Sequence, residues 1–180
     1  LSGAHQQLEW APEIEATVAD GLALELELPM EGGKVMEYKL GVQGTIGSFA
    51  NGKGAHGVQY LGIYNREKGR WENALLYMGG YRFSEKVSTV AMVGIGDVGF
   101  DRTDDVKLIV NQAVFYDLSE RGRLGVEVNY KSGPKGEFLV MPQVHHAIGK
   151  KLSLQAGVGG IHQTDQKWRP QAALRLIAVM

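Results

Sequence analysis

Residues 22–28 read Leu-Ala-Leu-Glu-Leu-Glu-Leu: Leu22, Leu24, Leu26 and Leu28 alternate with Ala23, Glu25 and Glu27. Successive side chains of a β-strand point to opposite faces. The segment is therefore a ribbon with one leucine face and one carboxylate face. The same alternation recurs where Leu124, Val126, Val128 and Tyr130 interleave with Gly125, Glu127 and Asn129. It recurs again where Ala172, Leu174, Leu176 and Ala178 interleave with Ala173 and Arg175. A soluble sandwich points such polar faces at bulk water. A membrane barrel does the reverse, with apolar residues toward lipid and polar residues toward the lumen.

Composition narrows the choice. The 180 residues suffice for a single domain, read here as one barrel over 1–180. A net charge of −1 gives no basis for nucleic-acid binding. The absence of cysteine removes disulfides, thiolate chemistry and cysteine metal sites. With 25 glycines and 5 prolines the chain suits many tight turns and few interrupted strands. No apolar run approaches the ~18 residues of a membrane helix, so a membrane-spanning form must be a closed barrel. The sequence begins at Leu1 without an initiator Met and reads as a processed chain or a piece of one.

Eleven strands are predicted, over 4–18, 21–30, 34–47, 57–66, 70–83, 86–97, 106–117, 122–132, 136–147, 151–162 and 168–180. No stretch keeps a 3.6-residue period with caps at both ends. From Tyr64 onward very short turns, such as Ser84-Glu85 and Gly149-Lys150, alternate with longer polar ones, such as 99–105 and 131–136. Outer-membrane barrels have short periplasmic turns and longer external loops. The glycine-rich stretch 47–57 breaks this alternation. Trp10, Trp71, Tyr81, Phe83, Phe100, Tyr116, Tyr130, Phe138 and Trp168 lie near strand ends, as aromatic girdles require. Bacterial single-chain barrels have even strand numbers. Eleven strands thus imply either a strand before Leu1 or an element hidden in 47–57, for a barrel of about twelve.

The segment from Ala11 to Pro29, APEIEATVADGLALELELP, resembles a hairpin of small proteobacterial outer-membrane barrels. These are described only as transporters or as products of metal-resistance and aromatic-degradation operons. The resemblance implies an all-β, up-and-down antiparallel transmembrane barrel in the bacterial outer membrane and brings no catalytic motif. Barrels of this kind end on an aromatic residue, whereas this sequence ends Ile177-Ala178-Val179-Met180.

Strand parity places Glu13, Glu15, Glu25, Glu27 and Glu37 on the lumen face, together with Lys39, Arg82, Lys107, Glu127, Lys131 and Arg175. Such a set either lines a charged conduit for ions and small polar solutes or fills the lumen with interlocking ion pairs. About twelve strands falls between eight-stranded barrels with filled interiors and sixteen-stranded open channels. His145 and His146 are adjacent and so face opposite sides. With His162 on the neighbouring strand they are weak metal candidates, because imidazole suits zinc, copper and nickel. No cofactor motif is present: Gly94-Ile-Gly-Asp-Val-Gly99 spells a dinucleotide fingerprint but no helix follows it. Asp101, Asp104 and Asp105 cluster with Arg102 and without histidine, and Ser132 and Ser153 lack His-carboxylate partners. These leave a lipid- or peptide-cleaving barrel enzyme as a third reading.

The sequence thus points to a non-enzymatic outer-membrane barrel, a passive conduit or a scaffold in an envelope complex. Its partners are membrane lipid, small polar solutes or ions, and envelope-complex subunits. A soluble lipocalin-like barrel that binds a ligand in its interior is the alternative. Because Val126 belongs to the lipid-facing parity and Glu127 does not, Val126→Arg is predicted to cost about 2–4 kcal/mol at mid-membrane. Folding yield into lipid vesicles, read by the heat-sensitive gel shift, should fall far more for Val126→Arg than for Glu127→Arg. Equal tolerance would reject a membrane-facing Val126.

Overall fold

The computed structural model describes residues 9–99, 106–134 and 136–179. Among the described residues every regular element is a β-strand. They are β1 (Glu9–Ala19), β2 (Leu22–Glu27), β3 (Met30–Glu31), β4 (Lys34–Val35), β5 (Glu37–Phe49), β6 (Gly54–Asn65) and β7 (Arg70–Arg82). They continue as β8 (Val87–Val98), β9 (Lys107–Asp117), β10 (Gly122–Lys131), β11 (Glu137–Ala147), β12 (Leu152–Gln163) and β13 (Arg169–Val179).

Eleven of them follow one another round a ring in chain order, each antiparallel to the next, from β1 through β2 and β5 to β13. The ring closes where β13 pairs with β1 in parallel, from Glu9 opposite Ala173 to Glu15 opposite Val179. The ring thus closes at eleven, close to the expected number of about twelve, but not at an even count. Among the described residues an odd number of strands closes the sheet, and the parallel seam is the geometric consequence. The stretch 47–57 hides no element. A bulge between Thr45 and Gly47 lets β5 run on to Phe49, β6 begins at Gly54, and Ala50 and Asn51 take left-handed turn conformations (φ 53° and 55°). It is a tight hairpin at the short-turn end, so the alternation of turns is unbroken there. At the other end β3 and β4 form a small hairpin that extends β2 and β5. It docks on β1 through Trp10 opposite Met30.

Burial runs opposite to that of a soluble protein. Leu40, Val126 and Val158 are 51%, 46% and 69% exposed, whereas Glu72, Asp97 and Gln143 are 4%, 6% and 4% exposed. No large side chain is completely buried among the described residues. An apolar exterior and a polar interior define a transmembrane barrel and exclude the lipocalin-like arrangement. Leu22, Leu24, Leu26, Leu124, Val126, Leu174 and Leu176 are all exposed on the outer wall, as their parity predicts.

Rings collect at both rims. At the loop end Tyr64 packs between Tyr38 and Trp71, with centroids 6.5 and 5.4 Å away, and Phe138 meets Trp168 at 6.1 Å. At the turn end Tyr81 stacks on Phe49 at 6.0 Å and meets Phe83 at 4.9 Å. Phe100, Asp101, Arg102, Asp104 and Asp105 lie outside the described residues.

The seam gives a direct test. Ile14 lies opposite Ala178 across it, and the chain has no native cysteine. Ile14→Cys paired with Ala178→Cys should oxidise to an intramolecular disulfide, seen as a reduction-sensitive mobility shift. Absence of that crosslink in folded protein would contradict the parallel closure.

Candidate functional site: the barrel lumen

The alternation of each strand delivers a ring of polar side chains inward, and cross-strand register decides which of them meet. Glu13 lies opposite Glu27, and Glu27 opposite Lys39. The seam then brings Arg175 against the same group. Its Nε stands 3.5 Å from Glu13 Oε2 and its Nη2 3.4 Å from Glu27 Oε1. Lys39 Nζ lies 3.6 Å from Glu27 and 3.8 Å from Glu37. Carboxylate oxygens of Glu13, Glu25 and Glu27 lie within 4.8 Å of one another. Arg175 and Lys39 offset Glu13 and Glu27, whereas Glu25 is held by Gln59 instead.

Other lumen carboxylates take different partners. Glu25 accepts a hydrogen bond from Gln59 Nε2 at 2.8 Å, and Glu37 one from Asn65 Nδ2 at 3.0 Å. Glu127 accepts from Asn111 Nδ2 at 3.0 Å and Asn129 Nδ2 at 2.6 Å. Neither Glu25 nor Glu127 has a cation within salt-bridge distance among the described residues. Asp97 is the opposite case, holding Lys107 Nζ at 2.6 Å and Lys131 Nζ at 2.7 Å. Arg82 sits at the turn-end rim, 3.2 Å from Asp117.

The inward faces carry Glu13, Glu25, Glu27, Lys39, Lys107, Glu127, Lys131 and Arg175, together with further acids that parity reasoning passed over. Glu72, held by Lys68 at 2.9 Å and Arg70 at 2.8 Å, shares the parity of Ala74 and Leu76 and was legible from it. Asp97 was not. Asn73 pairs with Val98 and Leu75 with Ile95, so β8 carries an extra residue here. Asp97 takes a left-handed conformation (φ 56°) that turns its side chain inward.

The histidines do not converge. His145 faces inward, 5.1 Å from the Phe115 ring, while His146 is exposed on the opposite face of the strand. His162 packs on Trp168 at 5.5 Å at the loop-end rim. Ser132 Oγ accepts the backbone amide of Leu108 at 2.8 Å, a bond that ties a loop to β9.

Large inward side chains lie flat against the wall, over glycines. A Cβ on Gly125 would meet the Phe115 ring at 2.7 Å, one on Gly157 would meet Met141 at 2.7 Å, and one on Gly96 would meet Ile109 at 2.3 Å. Each ring or chain therefore occupies the space of a missing side chain rather than the barrel axis. Cavities of about 450 Å³ at the loop end and about 400 Å³ at the turn end remain. Arg175 and Lys39 line the first, with Glu27, Glu31, Glu37, Glu67 and Glu127. Gln43, Thr45, Met78, Arg82, Ser88 and Val90 line the second.

An apolar outer belt between two aromatic rims, with a charged and polar interior, defines a porin-like transmembrane β-barrel of the outer-membrane type. Among solved structures the chain is similar to one described as a KdgM porin. The TM-score is 0.66 over 89% of this chain and 86% of that chain, at 13% sequence identity. At that identity the likeness is one of fold. No protein-family model matches the sequence, and no curated protein matches it.

The Asp97 node predicts a ranked stability effect. A hydrogen bond to a charged group contributes about 1.5–3 kcal/mol, and Asp97→Asn weakens two at once. Lys107→Met and Lys131→Met each leave the other lysine in place. In urea unfolding from lipid vesicles Asp97→Asn should lower stability by about 2 kcal/mol, more than either lysine variant. Equal effects of all three would contradict a shared node.

Proposed function

We infer that this protein is a non-enzymatic conduit of the bacterial outer membrane for small polar solutes and ions. The observation that carries the reading is the bedding of Phe115, Met141 and Ile109 over glycines, which keeps large side chains off the axis and leaves a cavity at each end. A filled barrel would direct such side chains toward one another. The name of the structural neighbour as a porin, and the resemblance of the Ala11–Pro29 hairpin to transporter-like barrels, agree with it.

The interior charges divide the work. Glu27, Arg175 and Lys39 compensate one another and brace the seam. Glu25 and Glu127 are held by amide hydrogen bonds rather than by salt bridges among the described residues. Fixed negative charge in a low-dielectric-walled passage raises the local cation concentration and is screened over about 10 Å at 0.1 M salt. Around the loop-end cavity carboxylates outnumber cations, with Glu27, Glu31, Glu37, Glu67 and Glu127 against Lys39 and Arg175.

Purified protein in planar bilayers should therefore give small, cation-preferring KCl conductance. The combined Glu25→Gln and Glu127→Gln variant should lower that preference, measured as reversal potential in a salt gradient, without loss of folding. Glu27→Gln should instead destabilise the barrel, because it strips a carboxylate from both Arg175 and Lys39. Absence of conductance in folded, reconstituted protein would reject the conduit and leave a scaffold in an envelope complex as the reading.

A further inference from the structure

The loop-end cavity is not uniformly polar. Register places Glu127 on β10 directly opposite Met141 on β11, and Asn129 opposite Leu139. All four side chains share the inward parity, and all four line the cavity. A carboxylate without a cation partner among the described residues therefore lies beside an apolar strip of Leu139 and Met141, which continues over the bare backbone of Gly157. The cations of the cavity make their salt bridges elsewhere, Arg175 with Glu13 and Glu27, and Lys39 with Glu27 and Glu37, while Arg175 acts on Glu127 only at longer range.

An inorganic ion gains nothing from the apolar strip. A carbohydrate would gain from an aromatic platform beside the carboxylate, but the aromatic residue that lines this cavity, Trp10 on β1, lies three strands round the wall from Met141 on β11. A cation with an apolar body satisfies both halves of the surface. Its charge sits against Glu127, and its hydrocarbon covers the part-exposed Leu139 beside Met141, which the wall already buries. Methionine suits such a wall because its unbranched thioether adapts to different shapes. At about 450 Å³ the cavity falls in the size range of small-molecule pockets.

We propose that the Glu127–Met141–Leu139 patch is a subsite for small organic cations that carry an apolar group, such as aryl- or alkylammonium compounds. It rests on the conduit reading in that the solute held there is one in transit.

Titration calorimetry on the folded, detergent-solubilised barrel tests this with benzyltrimethylammonium chloride as the probe. Two comparison probes are tetramethylammonium chloride, which lacks the apolar group, and sodium benzenesulfonate, which reverses the charge. Burial of the benzyl group should make the first bind at least about tenfold more tightly than tetramethylammonium, and benzenesulfonate should not bind. Glu127→Gln keeps the size of the side chain and its amide partners, and should weaken benzyltrimethylammonium by about tenfold, one cation–carboxylate contact. Leu139→Gln should erase the difference between the two ammonium probes. Equal affinity of the two cations, binding unchanged in Glu127→Gln, or preference for the sulfonate would each overturn the proposal. KCl conductance of the same preparation separates the two claims. Conductance without probe binding overturns the subsite and leaves the conduit. Probe binding without conductance supports the subsite and overturns the conduit.

Discussion

In hydrocarbon a backbone N–H or C=O without a partner costs several kcal/mol, and an open sheet edge carries a whole row of them. Everything else in this molecule depends on removing that edge. Ten antiparallel pairings cannot do it alone for eleven strands, because the first and last then run in the same direction. The chain closes instead through seven parallel pairs between β1 and β13. The seam is also where the interior chemistry gathers. Arg175 crosses from β13 to Glu13 on β1 and Glu27 on β2, so an inward-facing ion-pair group reinforces the least regular junction of the wall.

Closure fixes the inside and the outside, and alternation then distributes the side chains with no further instruction. The leucines of 22–28 face outward and Glu25 and Glu27 inward because neighbours on a strand cannot do otherwise. The apolar belt is therefore a solvent-facing surface whose solvent is lipid. What a soluble protein spends on a core, this one spends on its exterior. Its interior is held by hydrogen bonds and ion pairs, such as Asp97 with Lys107 and Lys131 and Glu72 with Lys68 and Arg70.

Much of this was legible in the sequence, because period two is a local property. The strands, the outward belt and the inward parity of Glu13, Glu25, Glu27, Glu127 and Arg175 follow from counting residues. What was not legible depends on places where counting slips. The bulge at Thr45 and Gly47 lengthened a hairpin that read as a gap in the pattern, and the extra residue in β8 turned Asp97 inward against parity. The parallel seam is invisible to any local pattern, since it joins strands at the two ends of the chain. Nor could parity say which charges pair. The difference between Glu27, held by two cations, and Glu127, held by two asparagines, arises from register around the whole ring.

The central claim is that this wall separates lipid outside from a water-filled passage inside. Spin labels at 124 and at successive positions from Val126 to Tyr130, in protein reconstituted into vesicles, test it most directly by collision with oxygen and with a water-soluble nickel chelate. The account predicts a two-residue alternation, with labels at 124, 126 and 128 relaxed mainly by oxygen and labels at 127 and 129 relaxed mainly by the chelate. Inward labels shielded from both reagents would contradict a hydrated lumen, and an alternation of opposite phase would contradict the barrel as described.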